Sequence, residues 1–392
     1  MSLNNLKDGV SDVRGKTVFL RVDFNVPLSG TKIKEDFKIR QALESISFLL
    51  RNDCNIVIAS HLGQPKNGFD KKYSLSPVAK HLSLLLAQPV TFLDFKKFSK
   101  FPDIRKEINS GLKKGRNIFL LDNLRFFSGE DRDCKRLGRS LASLADVYVN
   151  DAFAVSHRAN SSVSSIKSFL PSYTGLLLQK EIYSLNKILK PEKPFVAIMG
   201  GVKISTKIPI IKKIYPQASQ ILIGGALANN FFMAMGLNVG KSLVDKKEVN
   251  LAKKFLKSKK IILPIDVIVK TEVSSKKNII GVKNITDVSD NDYILDIGPE
   301  TILLFSRFIK KAQTLVWNGP LGMFEEDNFK KGTIILAREI AARSKGRAFG
   351  VAGGGETVEA LNLSGMAHYM DWVSTGGGAM LAYLSGDDMP GL

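Results

Sequence analysis

Short apolar runs recur along this chain, and polar or glycine residues follow each of them at once. The runs cover residues 17–22, 55–59, 117–121 and 147–149 in the first half, and 195–199, 220–223, 314–317, 348–352 and 369–373 in the second. Continuous apolar runs of this length are typical of strands buried on both faces of a parallel sheet. The pattern therefore predicts parallel strands whose carboxyl ends carry the polar and glycine residues.

Amphipathic helical patterns lie between these runs. Residues 40–50, 299–312 and 332–343 are predicted helices, and another is predicted over 78–87, with Ser76 as N-cap and Pro77 as the first helical residue. Alternating strands and helices favour a parallel sheet with helices on both faces, whose ligands bind beyond the carboxyl ends of the strands.

The stretch between Pro171 and Pro194 predicts a long helix that joins two domains. We expect an α/β protein with two doubly wound, Rossmann-like parallel-sheet domains and an active-site cleft between them. The predicted parts are a first domain (1–174), an inter-domain helix and hinge (175–190), a second domain (191–384) and a tail that crosses back to the first domain (385–392).

Residues 195–207, FVAIMGGVKISTK, form the most informative stretch of the chain. Gly200 and Gly201 remove side-chain bulk where a strand ends, and Lys203 and Lys207 follow at a spacing that puts both on one face if a helix begins here. Backbone N–H groups at a helix N-terminus favour anions, as the lysines do. Taken alone, the stretch favours a tight strand–helix turn with solvated lysines over an anion site.

The chain of 392 residues is strongly basic, with a formal net charge of +20 from 57 Lys+Arg against 37 Asp+Glu. The lysines are scattered, and no RNA-binding signature, zinc finger or basic tail accompanies them. Solvated helix faces explain most of the charge, and an acidic small-molecule substrate could use the rest; a basic nucleic-acid binder stays an alternative. No apolar run could span a bilayer, the N-terminus has no signal-peptide core, and Cys54 and Cys134 form no disulfide framework. We expect a cytoplasmic, monomeric protein with no nucleic-acid or membrane partner.

The two halves place different chemistry at their strand ends. The first half offers His61, Arg125, His157 and Arg158, so we expect the domain 1–174 to bind an acidic substrate. The second half offers glycines that allow a nucleotide to approach closely, so we expect 191–384 to be a nucleotide-binding domain. Because these two sites lie on different domains, we also expect hinge bending over the substrates. A basic site paired with a nucleotide site suggests phosphoryl transfer, which depends on positioning and electrostatic stabilisation. The HRD and DFG motifs of protein kinases are absent, which weakly favours a carboxylate acceptor, since a carboxylate is already ionised. Residues 236–242, GLNVGKS, lack the spacing of a phosphate-binding P-loop and are predicted to be a surface turn.

The chain resembles the phosphoglycerate kinase family over almost its whole length. The resemblance is carried by RVDFNVPL (21–28), SHLG (60–63), LDNLRF (121–126), VNDAFAVSHRANSS (149–162), GGVKISTK (200–207), LPIDV, DIGPET, WNGPLGMFE, GGGETV and STGGGA, in this order. It implies a two-domain enzyme that transfers the γ-phosphoryl of Mg-ATP reversibly to the carboxylate of 3-phosphoglycerate in glycolysis, with ATP/ADP and Mg²⁺ as cofactors.

The resemblance also implies roles for residues that match the family's motifs. The implied catalytic residues are Lys203, Arg125, Lys38 and Gly378, with Lys203 following the transferring phosphoryl. The implied substrate contacts are Arg21, Asp23, Phe24, Asn25, Lys38, His61, Leu62, Gly63, Gln64, Arg125, His157 and Arg158. The implied ATP contacts are Gly201, Lys207, Gly225, Asn318, Glu325, Gly353, Gly354, Gly355, Glu356 and Thr357, and the implied metal ligand is Glu356.

Read singly, these residues have ordinary structural alternatives: Asp23 and Asn25 can cap a turn, His61 and His157 can be hydrogen-bonded strand-end residues, Arg125 can pair with an acid, and Glu325 can lie in a solvated acidic turn.

Five positions differ from the family's usual pattern. Lys38 and Gln64 stand where the family has Arg, Glu44 where it has Pro, Glu356 where it has Asp, and Ala382 where it has Glu. Arg40, two residues beyond Lys38, is an alternative occupant of the arginine's place. These differences bear on substrate affinity and metal geometry but not on the fold, and they leave open a catalytically weakened relative that acts as a binding protein.

Overall fold

The structure is a computed structural model that describes residues 4–66, 68–98, 100–202, 205, 207–274 and 277–392. The chain divides into two compact units, residues 1–182 with 388–392 and residues 183–387. The division lies within one helix, Leu176–Leu189. No helix of the described ranges is long and apolar enough to cross a membrane.

The first unit is built on a seven-stranded sheet in which every neighbouring pair is parallel. Its strands are β1 (Asn4–Asn5), β2 (Thr17–Arg21), β5 (Asn55–Ala59), β6 (Thr91–Leu93), β7 (Ile118–Leu121), β8 (Val147–Asn150) and β9 (Ser172–Thr174), in the spatial order β1-β9-β8-β2-β5-β7-β6; β3 (Leu28–Ser29) and β4 (Lys32–Ile33) form a separate hairpin. Its helices are α1 (Val10–Val13), α2 (Phe37–Arg51), α3 (Ser76–Leu86), α4 (Phe101–Lys113) and α5 (Lys135–Ala142), and α6 (Leu176–Leu189) leads into the second unit.

Both faces of this sheet are buried, as the continuous apolar strands predict. On β2, Val18 and Leu20 pack into one hydrophobic layer with Ile46 of α2. Phe19 points to the opposite layer, which contains Ile104 of α4. Alternate side chains of one strand therefore reach two helical layers, and the unit is doubly wound.

The second unit contains a six-stranded parallel sheet and a three-stranded antiparallel sheet. The parallel sheet has the order β12-β11-β10-β16-β17-β18, with β10 (Phe195–Met199), β11 (Gln220–Ile223), β12 (Ile261–Ile262), β16 (Thr314–Asn318), β17 (Phe349–Gly353) and β18 (Trp372–Ser374). The antiparallel sheet comprises β13 (Asp266–Ser274), β14 (Lys277–Asn284) and β15 (Asp292–Ile297). The helices are α7 (Ile208–Ile214), α8 (Ala226–Ala234), α9 (Val249–Phe255), α10 (Pro299–Lys311), α11 (Lys331–Arg347), α12 (Gly355–Ser364) and α13 (Gly377–Ser385).

The predicted parallel-sheet fold class is confirmed in both units, and three local predictions are corrected. Helix α3 begins at Ser76 and its N-cap is Leu75, so Ser76 is helical and is not the cap. Lys207 precedes α7 as its N-cap and is not within its first turns. The last strand is Trp372–Ser374, three residues beyond the predicted start, because residues 367–369 form a 3₁₀ turn.

The last five residues of the chain belong to the first unit. The N–H of Gly391 donates to the carbonyl of Ser156 at 2.8 Å, and the amide of Asn150 donates to the carbonyl of Gly391 at 2.8 Å. Lys167 Nζ donates to the carbonyl of Pro390 at 2.5 Å. These bonds attach the tail to the carboxyl end of β8. The predicted bounds of the hinge, 175–190, stay a prediction.

Candidate active site

The carboxyl ends of three central strands of the first unit meet at one edge of the sheet. Arg21, the last residue of β2, is in register with Ala59 of β5 and with Asn150 of β8. The polar residues that follow these strands are therefore neighbours in space, although they lie far apart in the sequence.

Asp23 is the centre of a polar cluster at this edge. Its carboxylate accepts a hydrogen bond from Lys38 Nζ at 2.7 Å and another from the N–H of Asn25 at 2.9 Å, and lies 4.0 Å from His61 Nδ1. Burial by itself raises the pKa of Asp23, but Lys38, His61 and the N–H of Asn25 together hold it below its ordinary value. Asp23 is therefore an ionised group that fixes the position of Lys38.

Arg21 is an almost fully buried cation, with 1% of its surface exposed. Its Nε donates to Ser162 Oγ at 2.8 Å, its Nη1 donates to the carbonyl of Val22, and its Nη2 lies 3.4 Å from His61 Nδ1. Burial lowers the pKa of His61 to about 3, against the charge of Asp23, and the nearby Arg21 lowers it further. His61 is thus neutral at physiological pH.

Asn25, Gly63 and Arg125 form a second chain of bonds beside this cluster. Asn25 Oδ1 accepts the N–H of Gly63 at 2.9 Å, and Arg125 Nη1 donates to the carbonyl of Gly63 at 2.7 Å. Gly63 has φ +56°, and a Cβ there would lie 2.3 Å from the ring of Tyr73. Only glycine fits this position well, because the backbone has a positive φ and the ring of Tyr73 leaves no room for a side chain.

Two predicted substrate residues do not present a side chain at this edge. Phe24 and Leu62 are buried in the hydrophobic core, because each alternates with polar neighbours and points inward. The N–H of Phe24 donates to Ser60 Oγ, and both backbone groups of Leu62 are bonded to Asn123. A contact of either residue with a ligand would have to come from its backbone.

The remaining predicted contacts of this unit lie nearer to the solvent. Gln64 is exposed. Arg158 Nε lies 3.3 Å from His157 Nε2, so these two side chains form a pair of their own. Burial lowers the pKa of His157, and the charge of Arg158 lowers it further. His157 is therefore a neutral neighbour of the Arg158 cation.

Lys38 and Arg40 point to different acids. Whereas Lys38 is bonded to Asp23, Arg40 Nε is bonded to Asp36 Oδ1 at 2.8 Å and remains 58% exposed. Asp36 in turn is 2.8 Å from His81. Of the two cations at the start of α2, Lys38 is the one joined to the polar cluster.

The corresponding edge of the second unit consists mainly of glycine backbone. A Cβ on Gly200 would lie 2.0 Å from the carbonyl oxygen of Pro320, and one on Gly319 would lie 2.3 Å from the carbonyl oxygen of Gly200. Gly201 and Gly225 have φ of +87° and +61°, and the N–H of Gly201 donates to the carbonyl of Pro320 at 2.7 Å. The segments after β10, β11 and β16 therefore touch through their backbones, which side chains would keep apart.

Lys207 is a buried cation of this edge. It is 9% exposed, and its Nζ donates to Asn318 Oδ1 at the end of β16. Asn318 in turn donates to the carbonyl of Gly353 at 2.6 Å. Burial lowers the pKa of Lys207 to about 8, with Glu356 acting in the opposite direction. Lys203 lies outside the described residues.

The N-termini of α12 and α13 lie beside each other. Gly354, with φ +107°, is the N-cap of α12, and a Cβ on Gly377, the first residue of α13, would lie 2.6 Å from Gly354 Cα. Thr357 Oγ1 accepts the N–H of Gly319 at 2.8 Å and ties α12 to the end of β16. Gly355, Glu356 and Gly378, which follow the N-caps, are exposed. Two exposed helix N-termini provide N–H donors and positive dipole ends for an anion.

A cavity of about 360 Å³ lies beside Gly201 and Gly225 at the glycine edge of the second unit. Gly201, Gly225, Glu325 and Glu356 line it, as four of the predicted ATP contacts. Its apolar lining comes from Val202, Ala226, Phe232, Leu243, Val267, Leu295, Leu321 and Met323. It therefore combines an apolar wall with a polar, glycine-rich rim, as small-molecule sites do.

Part of this cavity was not predicted, because the antiparallel sheet was not predicted. Tyr293, Leu295 and Asp296 line it from β15. Asp296 is 2% exposed and accepts the N–H groups of Gly332 and Ile297, and burial raises its pKa to about 7. Asp296 belongs to the DIGPET motif, which carried part of the family resemblance. The motif gave no indication that Asp296 lines a cavity.

The comparisons with known proteins agree with this architecture. The family model "Phosphoglycerate kinase" matches residues 7–387. The chain is 39% identical to phosphoglycerate kinase of Pelotomaculum thermopropionicum over 387 residues, covering 97% of this chain and 96% of the relative. It is 40% identical to that of Finegoldia magna over 398 residues, covering 100% and 98%.

A solved structure, that of phosphoglycerate kinase from Coxiella burnetii, superposes with a TM-score of 0.82 at 35% identity and covers 97% of this chain and 95% of its own. The match includes the cationic edge of the first unit and the glycine edge of the second, so the resemblance drawn from the motifs is confirmed. The chain belongs to the phosphoglycerate kinase family.

Proposed function

We propose that this protein transfers a phosphoryl group reversibly between ATP and the carboxylate of 3-phosphoglycerate. In one direction a carboxylate oxygen forms a bond to the γ-phosphorus while the bond from that phosphorus to the β,γ-bridging oxygen breaks, which gives ADP and 1,3-bisphosphoglycerate. The observation that carries the proposal is the family match over residues 7–387, which spans both candidate edges.

The cationic edge of the first unit suits an acidic substrate. Arg21, Lys38 and Arg125 supply fixed positive charge, and neutral His61 and Asn25 supply hydrogen-bonding groups. We assign the 3-phosphoglycerate site to this edge, together with Arg158. A buried or partly buried cation binds a phosphate or carboxylate more strongly than an exposed one, because less water screens the charge.

The glycine edge of the second unit suits the nucleotide. The apolar wall of the cavity, from Leu243, Leu321 and Met323, can cover the face of a base, and Glu325 at its rim can accept ribose hydroxyls. Lys207 and the N-terminus of α12 can bind the phosphates. By family resemblance, Lys203 follows the transferred phosphoryl.

Magnesium fits this edge as part of the nucleotide complex. Among the described residues no group of three His, Cys, Asp or Glu side chains could hold a metal ion. Glu356 offers one carboxylate close to the glycines, since a Cβ on Gly201 would lie 3.8 Å from its Oε2. Mg²⁺ often binds to one or two carboxylates plus substrate phosphates. We propose Glu356 as its protein ligand, where the bound ion would neutralise phosphate charge.

Formation of the acyl phosphate tests the proposal. Purified protein with ATP, Mg²⁺ and 3-phosphoglycerate should produce 1,3-bisphosphoglycerate, followed through NADH oxidation by a coupled glyceraldehyde-3-phosphate dehydrogenase. Lys203→Ala should lower kcat far more than it weakens ATP binding, because a group that stabilises the transition state acts on turnover. Binding of both ligands without product would instead support a weakened relative that acts as a binding protein.

The proposal also includes a cytoplasmic monomer with no nucleic-acid or membrane partner. Binding to random duplex DNA that falls steeply with salt would contradict that part, since phosphate neutralisation by Lys and Arg is salt-dependent.

A further inference from the structure

We propose that the acidic turn, defined as Glu130 and Asp131 between β7 and α5, positions the cations of the substrate site. Neither residue belongs to a motif that predicted the site. The inference rests on the proposed 3-phosphoglycerate site and adds the positioning residues that act through its arginines.

Glu130 reaches Arg21 through one hydroxyl. Its carboxylate is 1% exposed, accepts Ser162 Oγ at 2.5 Å and the N–H of Ser162 at 3.1 Å, and lies 3.9 Å from Arg21 Nη2. Arg21 Nε donates to the same Ser162 Oγ at 2.8 Å. Because an ionised carboxylate only accepts, the hydroxyl hydrogen points to Glu130 and an oxygen lone pair is left for Arg21.

The chain of bonds continues from Arg21 to His61. The Arg21 guanidinium can only donate, so His61 Nδ1, 3.4 Å from Nη2, is the acceptor of that contact. A neutral imidazole with an accepting Nδ1 carries its hydrogen on Nε2. The order Glu130, Ser162, Arg21, His61 therefore selects one tautomer, which presents an N–H donor to an anionic ligand.

Asp131 makes the matching connection to Arg125. Its Oδ1 is 3.4 Å from Arg125 Nε and accepts Asn160 Nδ2 at 2.8 Å. Arg125 also donates to the carbonyl of Gly63 at 2.7 Å. The guanidinium is thus held from two sides, which lowers the entropy lost when it binds a ligand.

The backbone of the turn also holds the segment that follows Arg158. The carbonyl of Glu130 accepts the N–H of Ser161 at 2.9 Å and Asn160 Nδ2 at 3.3 Å, and the carbonyl of Gly129 accepts Ser161 Oγ at 2.8 Å. Arg158 lies two residues before Asn160. The turn therefore contacts Arg125 directly and Arg21 through Ser162, and it is also bonded to the segment that follows Arg158.

Burial makes the charge of Glu130 sensitive to its partners. Burial raises the pKa of Glu130, and Arg21 and the two bonds from Ser162 act against that rise. Burial lowers the pKa of Arg21, and the charge of Glu130 acts against that fall, so each group favours the charged form of the other at a place with little water. Replacing Glu130 by a neutral residue therefore changes the site electrostatically and not only sterically.

Glu130→Gln is the main test, with Glu107→Gln, a partly exposed position on α4, as matched control. We expect Glu130→Gln to raise KM for 3-phosphoglycerate about tenfold or more, with KM for ATP within about twofold of wild type. Glu107→Gln should leave both constants unchanged. An equal rise of both Michaelis constants, or no rise, would overturn the proposal, because loss of a merely structural residue does not discriminate between ligands.

The imidazole tautomer provides a readout that needs no activity. In ¹⁵N NMR spectra of the full chain, we expect the His61 signals of wild type to show hydrogen on Nε2, and those of Glu130→Gln to shift toward a tautomer mixture. Identical His61 signals in both proteins would overturn the positioning role. If wild type forms no acyl phosphate, the proposed function fails, while these spectra still decide the role of Glu130.

A second variant covers the case in which Glu130→Gln does not fold. Asp131→Asn changes a half-exposed position that retains the hydrogen bond from Asn160 but loses the charge facing Arg125. It should raise KM for 3-phosphoglycerate by about two- to fivefold and leave KM for ATP unchanged. An unchanged KM for 3-phosphoglycerate in this folded variant would overturn the proposal.

Discussion

The candidate edges of the two units both suit an anion, but one is formed mainly by side chains and the other mainly by backbone. In the first unit the proposed ligand contacts are side chains, such as Arg21 and Lys38, and each lies beside an acid, Glu130 or Asp23. In the second unit backbone segments meet at Gly200 and Gly319, and Lys207, a cation of the described part of this edge, is bonded to the amide of Asn318 and not to an acid. The first edge should therefore respond mainly to changes of charge, and the second mainly to changes of volume.

The largest effect should come from adding one methyl group to the second unit. Gly200→Ala places a Cβ 2.0 Å from the carbonyl oxygen of Pro320, which is backbone and cannot turn away. We expect a loss of about 1–3 kcal/mol or more in unfolding free energy, with loss of ATP binding. Thermal unfolding and nucleotide titration would measure both.

Gly355→Ala is the matched control for volume. A Cβ there meets nothing within 4 Å. Its unfolding free energy should equal that of wild type or rise slightly, since Ala favours a helix more than Gly does. Equal losses in the two variants would contradict the view that close backbone contact, and not glycine as such, matters at this edge.

A charge change in the first unit should have the next largest effect. Lys38→Ala removes the cation bonded to Asp23 and should weaken 3-phosphoglycerate binding by one to two decades, since a charge-assisted bond contributes roughly 1.5–3 kcal/mol. Arg40→Ala, two residues away, should leave it unchanged because Arg40 pairs with Asp36. Calorimetric titration of both variants decides which cation serves the site, and the reverse order of effects would exchange their roles.

Replacing Lys38 or Gln64 by arginine should strengthen the binding of 3-phosphoglycerate, whereas Lys38→Ala weakens it. The planar guanidinium gives two parallel hydrogen bonds where the ammonium gives a point charge, and Gln64→Arg adds a charge. Each substitution should tighten 3-phosphoglycerate binding and barely change ATP binding. No change from either would remove these positions from the site.

A smaller effect should appear in the pH dependence of nucleotide binding. With a pKa of about 8 in the free protein, Lys207 loses its proton as the pH rises above 8, and only the protonated form attracts phosphate. ADP affinity should therefore fall about fivefold between pH 8 and pH 9. Lys207→Arg, which stays protonated, should remove that fall, and a flat wild-type profile would contradict the assignment.

The smallest expected effect concerns His61, whose imidazole should not titrate near neutral pH. Because the pKa of His61 is about 3, its imidazole signals should not move in NMR spectra between pH 5 and pH 8. His61→Gln identifies the signals. A midpoint near pH 6.5 would mean that His61 carries charge at the site and that its burial matters less than we infer.

The sequence predicted the central strands well because their apolar runs are local. Phe195–Met199 and Asn55–Ala59 were predicted at their observed bounds, since a strand buried on both faces needs only its own residues to be recognised. The antiparallel sheet and the cavity wall from Tyr293 and Leu295 were missed, because strand pairing and burial depend on residues far away in the chain.

The candidate site shows the same limit. Motifs identified Arg21, Asp23 and Arg125 as candidate site residues, because charged residues at strand ends indicate a binding site. Their roles stay predictions. Glu130 belongs to no such motif. In the sequence it cannot be distinguished from a solvent-exposed glutamate, because its bond to Ser162, 32 residues further along the chain, is formed only in the folded protein.

The attachment of the tail has a consequence for how the protein is made. Residues 388–392 complete the first unit at Ser156 and Asn150, but a ribosome adds them only after the whole of Tyr183–Asp387. At a synthesis rate of about 5–20 residues per second, that interval lasts roughly ten to forty seconds. During it the carboxyl end of β8 is without the partner that the finished chain provides. Because domains generally fold in the order of synthesis, we expect the first unit to begin folding early in translation. It can reach its final set of bonds only once synthesis of the chain has passed Gly391.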